Sequence, residues 1–306
     1  MKILFIGFGT IAKKHFKIIK KIDPSTEFFS LSKDSKKLKN RGIKTVKSND
    51  LENNNLDAII VCNPSSCHYK TVLNYSRLKL PIMVEKPICI NRKQVKILEK
   101  LSIQQKDLFI YNACNLRFHP LITFFKDYIK DKISEINEIN VYCGSFLPDW
   151  RGDRHYTNYY SSKKTLGGGV HLDLIHEIDY TIYLFGYPKS IKKIFKKVSK
   201  LNIDSYDFAH YYLDYDSFIV TITLNYFRRD KKRYMEVVMD NDTLFVDLVN
   251  DKINSIKDNK SLINIKSEGM EQSYFNQMKY FLNFIKKRES SFNGLQEALK
   301  IIKYIL

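Results

Sequence analysis

Apolar residues follow two different patterns along the chain, and the change between the patterns divides it into two halves. In the first 115 residues, short continuous apolar runs such as 3–6 and 56–62 are separated by stretches with helical periodicity. Continuous runs are typical of strands that are buried on both faces of a parallel sheet. Strands that alternate with helices predict a doubly wound parallel sheet with crossover connections.

The second half has longer runs with period-two alternation and turn residues between them, which predict a largely antiparallel sheet. The first half is predicted to contain strands at 3–6, 28–31, 44–46, 56–62, 81–84 and 108–111, with helices at 12–22, 35–40, 69–78 and 92–102. The second half is predicted to contain strands at 136–146, 190–201, 207–215, 217–227, 233–239 and 243–249, with helices at 170–184, 271–287 and 295–305. The predicted fold class is α/β, with a doubly wound domain at 1–117 and an α+β domain with an open-faced sheet at 118–306, whose C-terminal helix can pack back on the first domain.

A glycine turn follows the first predicted strand directly and leads into the first predicted helix. Gly7 permits the tight turn, and Gly9 permits the backbone to approach a pyrophosphate at the amino end of the helix. Ala12 is an accepted small residue at the third position of this pattern, where helix and strand pack closely. A glycine-rich turn alone is weak evidence, but its place between a strand and a helix predicts dinucleotide binding.

The second predicted strand lacks the acidic residue that usually binds the adenosine ribose at its end. The chain continues with Ser32 and Lys33, a hydroxyl and an ammonium that suit a 2′-phosphate better than a ribose diol. This pattern favours NADP over NAD. Two alternatives stay open: Asp34 reaches the ribose, or the segment is a solvated basic turn in a lysine-rich chain.

Composition predicts a folded cytoplasmic protein. Of the 306 residues, 44% are hydrophobic and 13% aromatic, which suits two domains with real cores. No apolar run approaches the ~20 residues that a membrane span needs, and the direct entry into a strand speaks against a signal peptide. The five scattered cysteines have no zinc-binding spacing and are expected to be reduced thiols. The net charge of +18 is spread along the chain without a nucleic-acid-binding signature, so we expect no nucleic-acid partner.

Polar residues follow several of the predicted strands, where parallel sheets bind ligands. The turn and these strand ends give the expected cofactor contacts, which are Gly7, Phe8, Gly9, Thr10, Ile11, Ser32, Lys33, Asn63, Pro64, Ser65, His68, Glu85, Lys86 and Asn115.

Four motifs in order along the chain resemble those of the Gfo/Idh/MocA oxidoreductases. They are the segment 7–15, Glu85-Lys86-Pro87, the segment 115–120, and the triple glycine 167–169 followed by His176 and Asp179. The resemblance implies a Rossmann domain and a second domain with an open-faced sheet that often mediates homodimers or homotetramers. It also implies NAD(P)-dependent chemistry on a sugar, cyclitol or nucleotide sugar. The segment 147–160 resembles a branch that is associated with bacterial surface-sugar biosynthesis.

Hydride transfer at a carbinol requires a group that takes or returns the hydroxyl proton. Lys86, at a strand end, can bind the substrate oxygen or stabilise an alkoxide, and His176 is the best acid/base candidate because its ordinary pKa lies near neutrality. Asp173 lies one helical turn before His176 and can orient the imidazole or bind substrate, although the family commonly places its aspartate at position 172. His171 is a rival imidazole, Asp179 faces the cleft or caps the fold, and Glu177 is expected to face solvent.

The expected substrate contacts are Lys86, Arg117, Trp150, Arg151, Tyr156, Asp173 and His176, with Asp149 and His155 as weaker candidates. Nicotinamide chemistry does not require a metal, and we expect none. The sequence therefore predicts a sugar dehydrogenase or reductase. One alternative is a glycoside hydrolase or eliminase that retains its NAD and uses transient oxidation, and another is a non-catalytic sensor of sugars or dinucleotides.

Overall fold

The protein consists of two compact units, which the computed structural model describes at residues 1–31, 38, 40–152, 155–265, 268–287 and 293–306. The first unit comprises residues 1–114, 274–304 and 306, and the second comprises 115–273 and 305. The sequence-based boundary at 117/118 lies three residues beyond the observed one. The observed first unit also contains most of the last two helices. The sequence assigned residues 118–306 to the second domain and expected only that the C-terminal helix can pack back on the first.

The first unit is built on a parallel sheet. In the part of the unit that the structure describes, the strand order is β3-β2-β1-β4-β5-β6. These strands are β1 (Lys2–Ile6), β2 (Glu27–Ser30), β3 (Ile43–Thr45), β4 (Ala58–Val61), β5 (Ile82–Glu85) and β6 (Ile110–Ala113). Helices α1 (Thr10–Ile22), α2 (His68–Tyr75) and α3 (Arg92–Gln104) connect them. Strand β4 is wholly buried and β1 and β5 nearly so, which confirms the predicted doubly wound parallel sheet.

The second unit is built on a mixed sheet that is antiparallel except where β7 pairs with β10. Among the described residues its strand order is β14-β13-β12-β11-β7-β10-β9-β8. Its strands are β7 (Ile136–Phe146), β8 (Ser190–Lys196), β9 (Phe208–Asp214), β10 (Ile219–Asn225), β11 (Phe227–Met239), β12 (Thr243–Asp247), β13 (Lys252–Ser255) and β14 (Lys260–Asn264). Burial alternates along β9, β10 and β12, so one face of these strands is buried and the other is partly exposed. This confirms the predicted α+β class of the second half.

The second unit also contains short helices. They are α4 (Pro120–Ile129), α5 (Val170–Asp173) and α6 (His176–Phe185), and the last two pack on the sheet. Helix α5 contacts β9 and β10, and α6 contacts β7. Helices α7 (Gly269–Lys287) and α8 (Leu295–Ile305) complete the chain. No helix in the described ranges is both long and apolar enough to cross a membrane.

The structure corrects one predicted helix and adds elements that the sequence did not predict. The expected helix at 170–184 is interrupted at Leu174 and Ile175, so α5 and α6 are separate. Helix α4 and strands β13 and β14 were not predicted. Most of the predicted helix at 35–40 lies outside the described residues.

Candidate functional site

The glycine turn after β1 has the geometry that a dinucleotide pyrophosphate needs. Gly7 has a φ of +86°, and a Cβ there would lie 2.6 Å from the backbone nitrogen of Asn63, so only glycine fits. A Cβ on Gly9 would meet no atom within 4 Å. Gly9 is the N-cap of α1, whose first turn has neither a capping side chain nor an acidic residue. The amino end of α1 can therefore receive an anion.

Other residues of the turn contribute backbone rather than side chains. The half-buried ring of Phe8 packs edge-on against Phe5 at 5.4 Å and against Phe16 at 6.0 Å, so it faces these core residues of the first unit. Thr10 is exposed and Ile11 is half-buried at the start of α1. The next strand end follows β4, where Asn63 donates to Thr71 Oγ1 at 2.7 Å, Pro64 is exposed and Ser65 is buried. The expected cofactor contacts in these two segments thus lie at the ends of the neighbouring strands β1 and β4 of one sheet.

Lys86 follows the end of β5 and is half-buried. On one side of it, Glu85 Oε1 lies 2.6 Å from His15 Nε2, and the His15 side chain is fully buried. On the other side, Pro87 presents its carbonyl to His68 Nδ1 at 2.7 Å. The residues flanking Lys86 are therefore both held by histidines of the first unit.

His68 was an expected cofactor contact, and the structure corrects this expectation. Its ring is buried, and Nε2 lies 2.8 Å from the carbonyl of Asn63 while Nδ1 faces Pro87. Burial lowers the pKa of His68, and the two carbonyl contacts act in the opposite direction. Since main-chain oxygens occupy both ring nitrogens, this side chain acts inside the protein rather than on the cofactor.

In the second unit, buried ion pairs anchor the first turn of α6, where His176 is the first residue. Glu177 has no exposed surface and accepts from Arg233 Nε of β11 at 2.6 Å. Asp179 accepts from Arg117 at 2.8 and 2.9 Å in a bidentate pair that is also buried. The expectation that Glu177 faces solvent was wrong, because its carboxylate is buried and has a guanidinium partner in Arg233.

Arg117 and Asn115 have internal partners as well. The Arg117 guanidinium, an expected substrate contact, is buried and is bound to Asp179, so we assign it to the support of α6 instead. Asn115, an expected cofactor contact, is buried and donates to Ser273 Oγ at 2.7 Å. Both side chains stabilise the second unit.

Asp173 lies in a cluster of aromatic hydroxyls. Its carboxylate accepts from the hydroxyl of Tyr226 at 2.5 Å and also interacts with the hydroxyl of Tyr160. Burial raises the pKa of both tyrosines, and the Asp173 charge raises it further, so both stay protonated donors. Trp150 meets Tyr226 edge-on at 5.2 Å, and the Arg151 guanidinium lies 5.4 Å from the Tyr160 ring centre.

The relation between Asp173 and His176 differs from the predicted one. Asp173 is the last residue of α5 and His176 the first of α6, so they do not share one continuous helix face. The triple glycine before α5 also has a packing reason: a Cβ on Gly168 would collide with the carbonyl oxygens of Tyr160 and Ser161. Gly168 therefore lies directly against the backbone of Tyr160, a member of the Asp173 cluster.

The rival imidazole, His171, is a packing residue. Its ring lies 4.7 Å from that of Phe195 and 5.5 Å from that of Tyr206. Burial, with Lys193 and Lys164 nearby, lowers the pKa of His171 to about 4. A ring that is neutral and packed between aromatic side chains is a poor proton donor near neutral pH.

Two family models match this arrangement of domains. Residues 1–113 match the model of an oxidoreductase family with an NAD-binding Rossmann fold, and residues 129–245 match the C-terminal domain model of the same family. The chain belongs to the Gfo/Idh/MocA oxidoreductase family. The open space at Gly9 and the uncapped amino end of α1 fit the dinucleotide that this family binds.

Proteins similar to this chain include dehydrogenases that are named for inositols and for a UDP-sugar. One is the scyllo-inositol 2-dehydrogenase (NADP(+)) IolW of Bacillus subtilis, 24% identical over 166 residues, which are 52% of this chain and 43% of that protein. The chain thus spans less than half the length of this curated relative. Similar structures include UDP-N-acetylglucosamine 3-dehydrogenase GnnA from Acidithiobacillus ferrooxidans, with a TM-score of 0.78 at 16% identity, covering 100% of this chain and 95% of that one. A myo-inositol dehydrogenase from Corynebacterium glutamicum has a TM-score of 0.77 at 16% identity, covering 100% and 94%.

The remaining expected contacts are divided between described and undescribed parts of the chain. Ser32 and Lys33, on which the preference for NADP depends, lie outside the described residues. Tyr156 accepts from the backbone of Asn202 at 3.1 Å, and the Trp150 indole donates to Ser145 Oγ at 2.8 Å. Trp150 and Arg151 are therefore the expected substrate contacts that lie in the Asp173 cluster.

Sequence reasoning missed Tyr226 and Tyr160 as members of this cluster. Tyr226 directly follows the alternating strand β10 and is buried. A polar residue and a tyrosine at the end of a strand, Asn225 and Tyr226, are a sequence signal that could have indicated a site there. Tyr160 comes from an irregular segment, where no periodicity indicates which side chains turn inward.

Proposed function

We propose that the protein is an NAD(P)-dependent dehydrogenase or reductase that transfers a hydride between the nicotinamide and a carbinol or carbonyl of a sugar or sugar derivative. The observation that carries this proposal lies within the first unit. The glycine turn, Asn63 and Lys86 follow the neighbouring parallel strands β1, β4 and β5. Asn63 lies against Gly7, and the His68 ring connects Asn63 to Pro87, the residue after Lys86. A lysine at a strand end beside a dinucleotide cradle suits the stabilisation of a substrate oxygen during hydride transfer.

We assign to Lys86 the electrostatic stabilisation of the reacting oxygen. When bound, the nicotinamide supplies or accepts the hydride. The Lys86 ammonium donates a hydrogen bond to the reacting oxygen and stabilises the negative charge that develops there as its proton leaves. The hydrogen bond between an ammonium and a carbinol oxygen becomes stronger as the oxygen becomes an alkoxide. An interaction that is stronger in the transition state than in the ground state lowers the barrier.

We assign to His176 the role of general base in oxidation and general acid in reduction. It takes the substrate hydroxyl proton in oxidation and returns it in reduction. The ion pairs of Glu177 and Asp179 hold the turn on which its ring stands. Asp173, with Tyr160 and Tyr226 as donors, provides a fixed negative charge in the same unit for binding sugar hydroxyls.

The relatives support a polyhydroxylated substrate, since their names specify inositols and a UDP-sugar. Trp150 and Arg151 suit such a ligand, because a sugar ring presents C–H groups to an aromatic face and hydroxyls to a guanidinium. The preference for NADP stays a proposal that depends on Lys33. A role in surface-sugar biosynthesis, a cytoplasmic location and a homo-oligomeric state stay predictions from the sequence.

A turnover panel tests the proposal. Purified protein is incubated with NAD⁺ or NADP⁺ and with scyllo-inositol, myo-inositol or UDP-N-acetylglucosamine, and the reduced nicotinamide is followed by absorbance. We expect net reduction with at least one polyhydroxylated substrate, and none with the Lys86→Met variant. Turnover of a sugar without net redox change would favour the NAD-retaining hydrolase or eliminase instead, and tight dinucleotide binding without any turnover would favour the sensor.

A further inference from the structure

Two buried histidines of the first unit hold the residues on either side of Lys86. His15, on α1, has no exposed side-chain surface, and its Nε2 lies 2.6 Å from Glu85 Oε1. A contact of this length between a ring nitrogen and a carboxylate is a strong, charge-assisted hydrogen bond. It fixes the residue that precedes Lys86 to the helix that begins at the glycine turn.

His68, at the start of α2, fixes the residue that follows Lys86. Its Nδ1 lies 2.7 Å from the Pro87 carbonyl, and its Nε2 lies 2.8 Å from the Asn63 carbonyl. The ring therefore bridges the chain after β5 to the chain after β4. With a relative exposure of 2%, it is not available to a ligand from solvent.

The two histidines and the glycine turn form a closed series of contacts. Asn63 lies so close to Gly7 that a Cβ on Gly7 would collide with its backbone. Asn63 is bound by His68, His68 binds Pro87, and Glu85 is bound by His15 on the helix that follows Gly7 and Gly9. A shift of the Lys86 backbone relative to the glycine turn strains these contacts, so the point from which its side chain extends is held.

We propose that His15 and His68 are positioning residues that fix Lys86 relative to the dinucleotide cradle, and that neither histidine contacts cofactor or substrate. This inference rests on the proposed function in one respect, which is the role of Lys86 in binding the reacting oxygen. Placement of such a group matters, because a misplacement of ~1 Å can lower a rate by roughly 10²-fold. His15 acts through the carboxylate of Glu85 and His68 through the backbone carbonyl of Pro87. The effect of each histidine is therefore on the position of the Lys86 ammonium.

The two rings use different nitrogens, which gives matched variants for a test. Asparagine places an amide near the position of Nδ1, and glutamine places one near the position of Nε2. His68→Asn thus retains a donor for Pro87, whereas His68→Gln loses it. The pattern reverses for His15, where His15→Gln retains the donor for Glu85 and His15→Asn loses it. His171→Asn, which removes another buried imidazole, controls for general destabilisation.

We test the positioning role with three measurements on the variants. They are steady-state kinetics, dinucleotide affinity by calorimetry, and crystal structures. We expect His68→Gln and His15→Asn to lower kcat by roughly 10- to 10²-fold, with the dissociation constant of the dinucleotide changed by less than about 3-fold. His68→Asn and His15→Gln should retain most of the wild-type kcat.

Several results would overturn the inference. One is an unchanged kcat per dinucleotide-binding site with a lowered melting temperature, which is what a merely structural role produces. Another is a loss of dinucleotide affinity with kcat unchanged, which would make the histidines cofactor ligands after all. If the wild-type protein turns over no sugar, the proposed function fails, and the crystal structures then decide alone: a displaced Lys86 in His68→Gln supports the inference, and an undisplaced Lys86 overturns it.

Discussion

At the scale of single residues, charge burial in the second unit determines where His176 stands. Glu177 and Asp179 lie on the first turn of α6, next to His176; Asp179 is bound to the buried Arg117, and the buried Glu177 to Arg233, whose side chain is 13% exposed. Removing one partner of a buried ion pair typically costs about 3–5 kcal/mol, because the other charge stays buried without compensation. The start of α6 is thus held by two ion pairs that are costly to break. These pairs also restrict the backbone that carries the His176 imidazole.

The first prediction concerns His176. His176→Asn should lower kcat by roughly 10²–10⁴-fold, the range for a lost general acid or base, because asparagine cannot carry a proton near neutral pH. Dinucleotide affinity should stay nearly unchanged, since His176 is not a proposed cofactor contact. Steady-state kinetics and calorimetry on the same preparation measure both quantities.

His171→Asn is the matched control for this prediction. His171 packs between Phe195 and Tyr206, so the variant should lose stability and keep most of its kcat. A dead His171 variant beside an active His176 variant would show that the proton carrier has been assigned to the wrong imidazole.

At the scale of elements, the strand–turn–helix unit at the start of the chain separates a structural glycine from a binding glycine. The backbone beside Gly7 leaves no room for a Cβ, and its φ of +86° disfavours any other residue. At Gly9 the space is open and the backbone is extended. The fold therefore needs the first glycine, and the ligand needs the second.

The second prediction follows from this difference. Gly9→Val should abolish dinucleotide binding while the melting temperature stays near that of the wild type, because the new side chain occupies space that the protein itself does not use. Gly7→Val should instead lower the melting temperature strongly, since the collision is with backbone. Calorimetry and thermal melts of the two variants give the comparison, and full dinucleotide affinity in Gly9→Val would contradict the assigned cradle.

Elements with a strong period were predictable from the sequence, and those that depend on distant partners were not. Strand β7 was predicted with its observed bounds because its middle part alternates between buried and partly exposed residues, and the parallel sheet followed from continuous apolar runs. Strands β13 and β14 escaped prediction because lysines, serines and asparagines interrupt their apolar pattern. No local signal ends α5 at Asp173, where the carboxylate is bound by Tyr226, 53 positions later.

The candidate site shows the same limit. Gly7, Gly9 and Lys86 could be placed from their positions after apolar strands, because parallel strands bring their carboxyl ends to one edge. The burial of Glu177 could not, since its partner Arg233 is 56 positions away along the chain. The role of His68 was also beyond the sequence, because it depends on which carbonyls its ring meets.

At the scale of the whole molecule, buried neutral histidines make stability depend on acid. Burial lowers the pKa of His119 to about 4, and that of His171 to about 4, from an ordinary value of 6.5. In the unfolded chain these rings take up protons near pH 6.5, whereas in the folded chain they stay neutral until about pH 4. The unfolded state therefore binds more protons in this window, and stability falls as the pH falls through it.

The third prediction is the shape of that dependence. The free energy of unfolding, measured by urea denaturation at a series of pH values, should be highest above pH 6.5 and decline as the pH is lowered to about 4. The His171→Phe variant should show a shallower decline, because one of the titrating rings is gone. A decline of equal steepness in the variant would contradict the assignment of His171 as a buried neutral ring.

The most direct test of the central claim follows the hydrogen itself. A substrate identified in the turnover panel, deuterated at its reacting carbinol carbon, is oxidised with unlabelled dinucleotide, and the nicotinamide is analysed by NMR. We predict that the deuterium appears at C4 of the reduced nicotinamide, one per product molecule, and that its transfer is lost in Lys86→Met. Deuterium that is released to solvent, or retained in a product formed without net redox change, would contradict hydride transfer between substrate and nicotinamide as the net reaction.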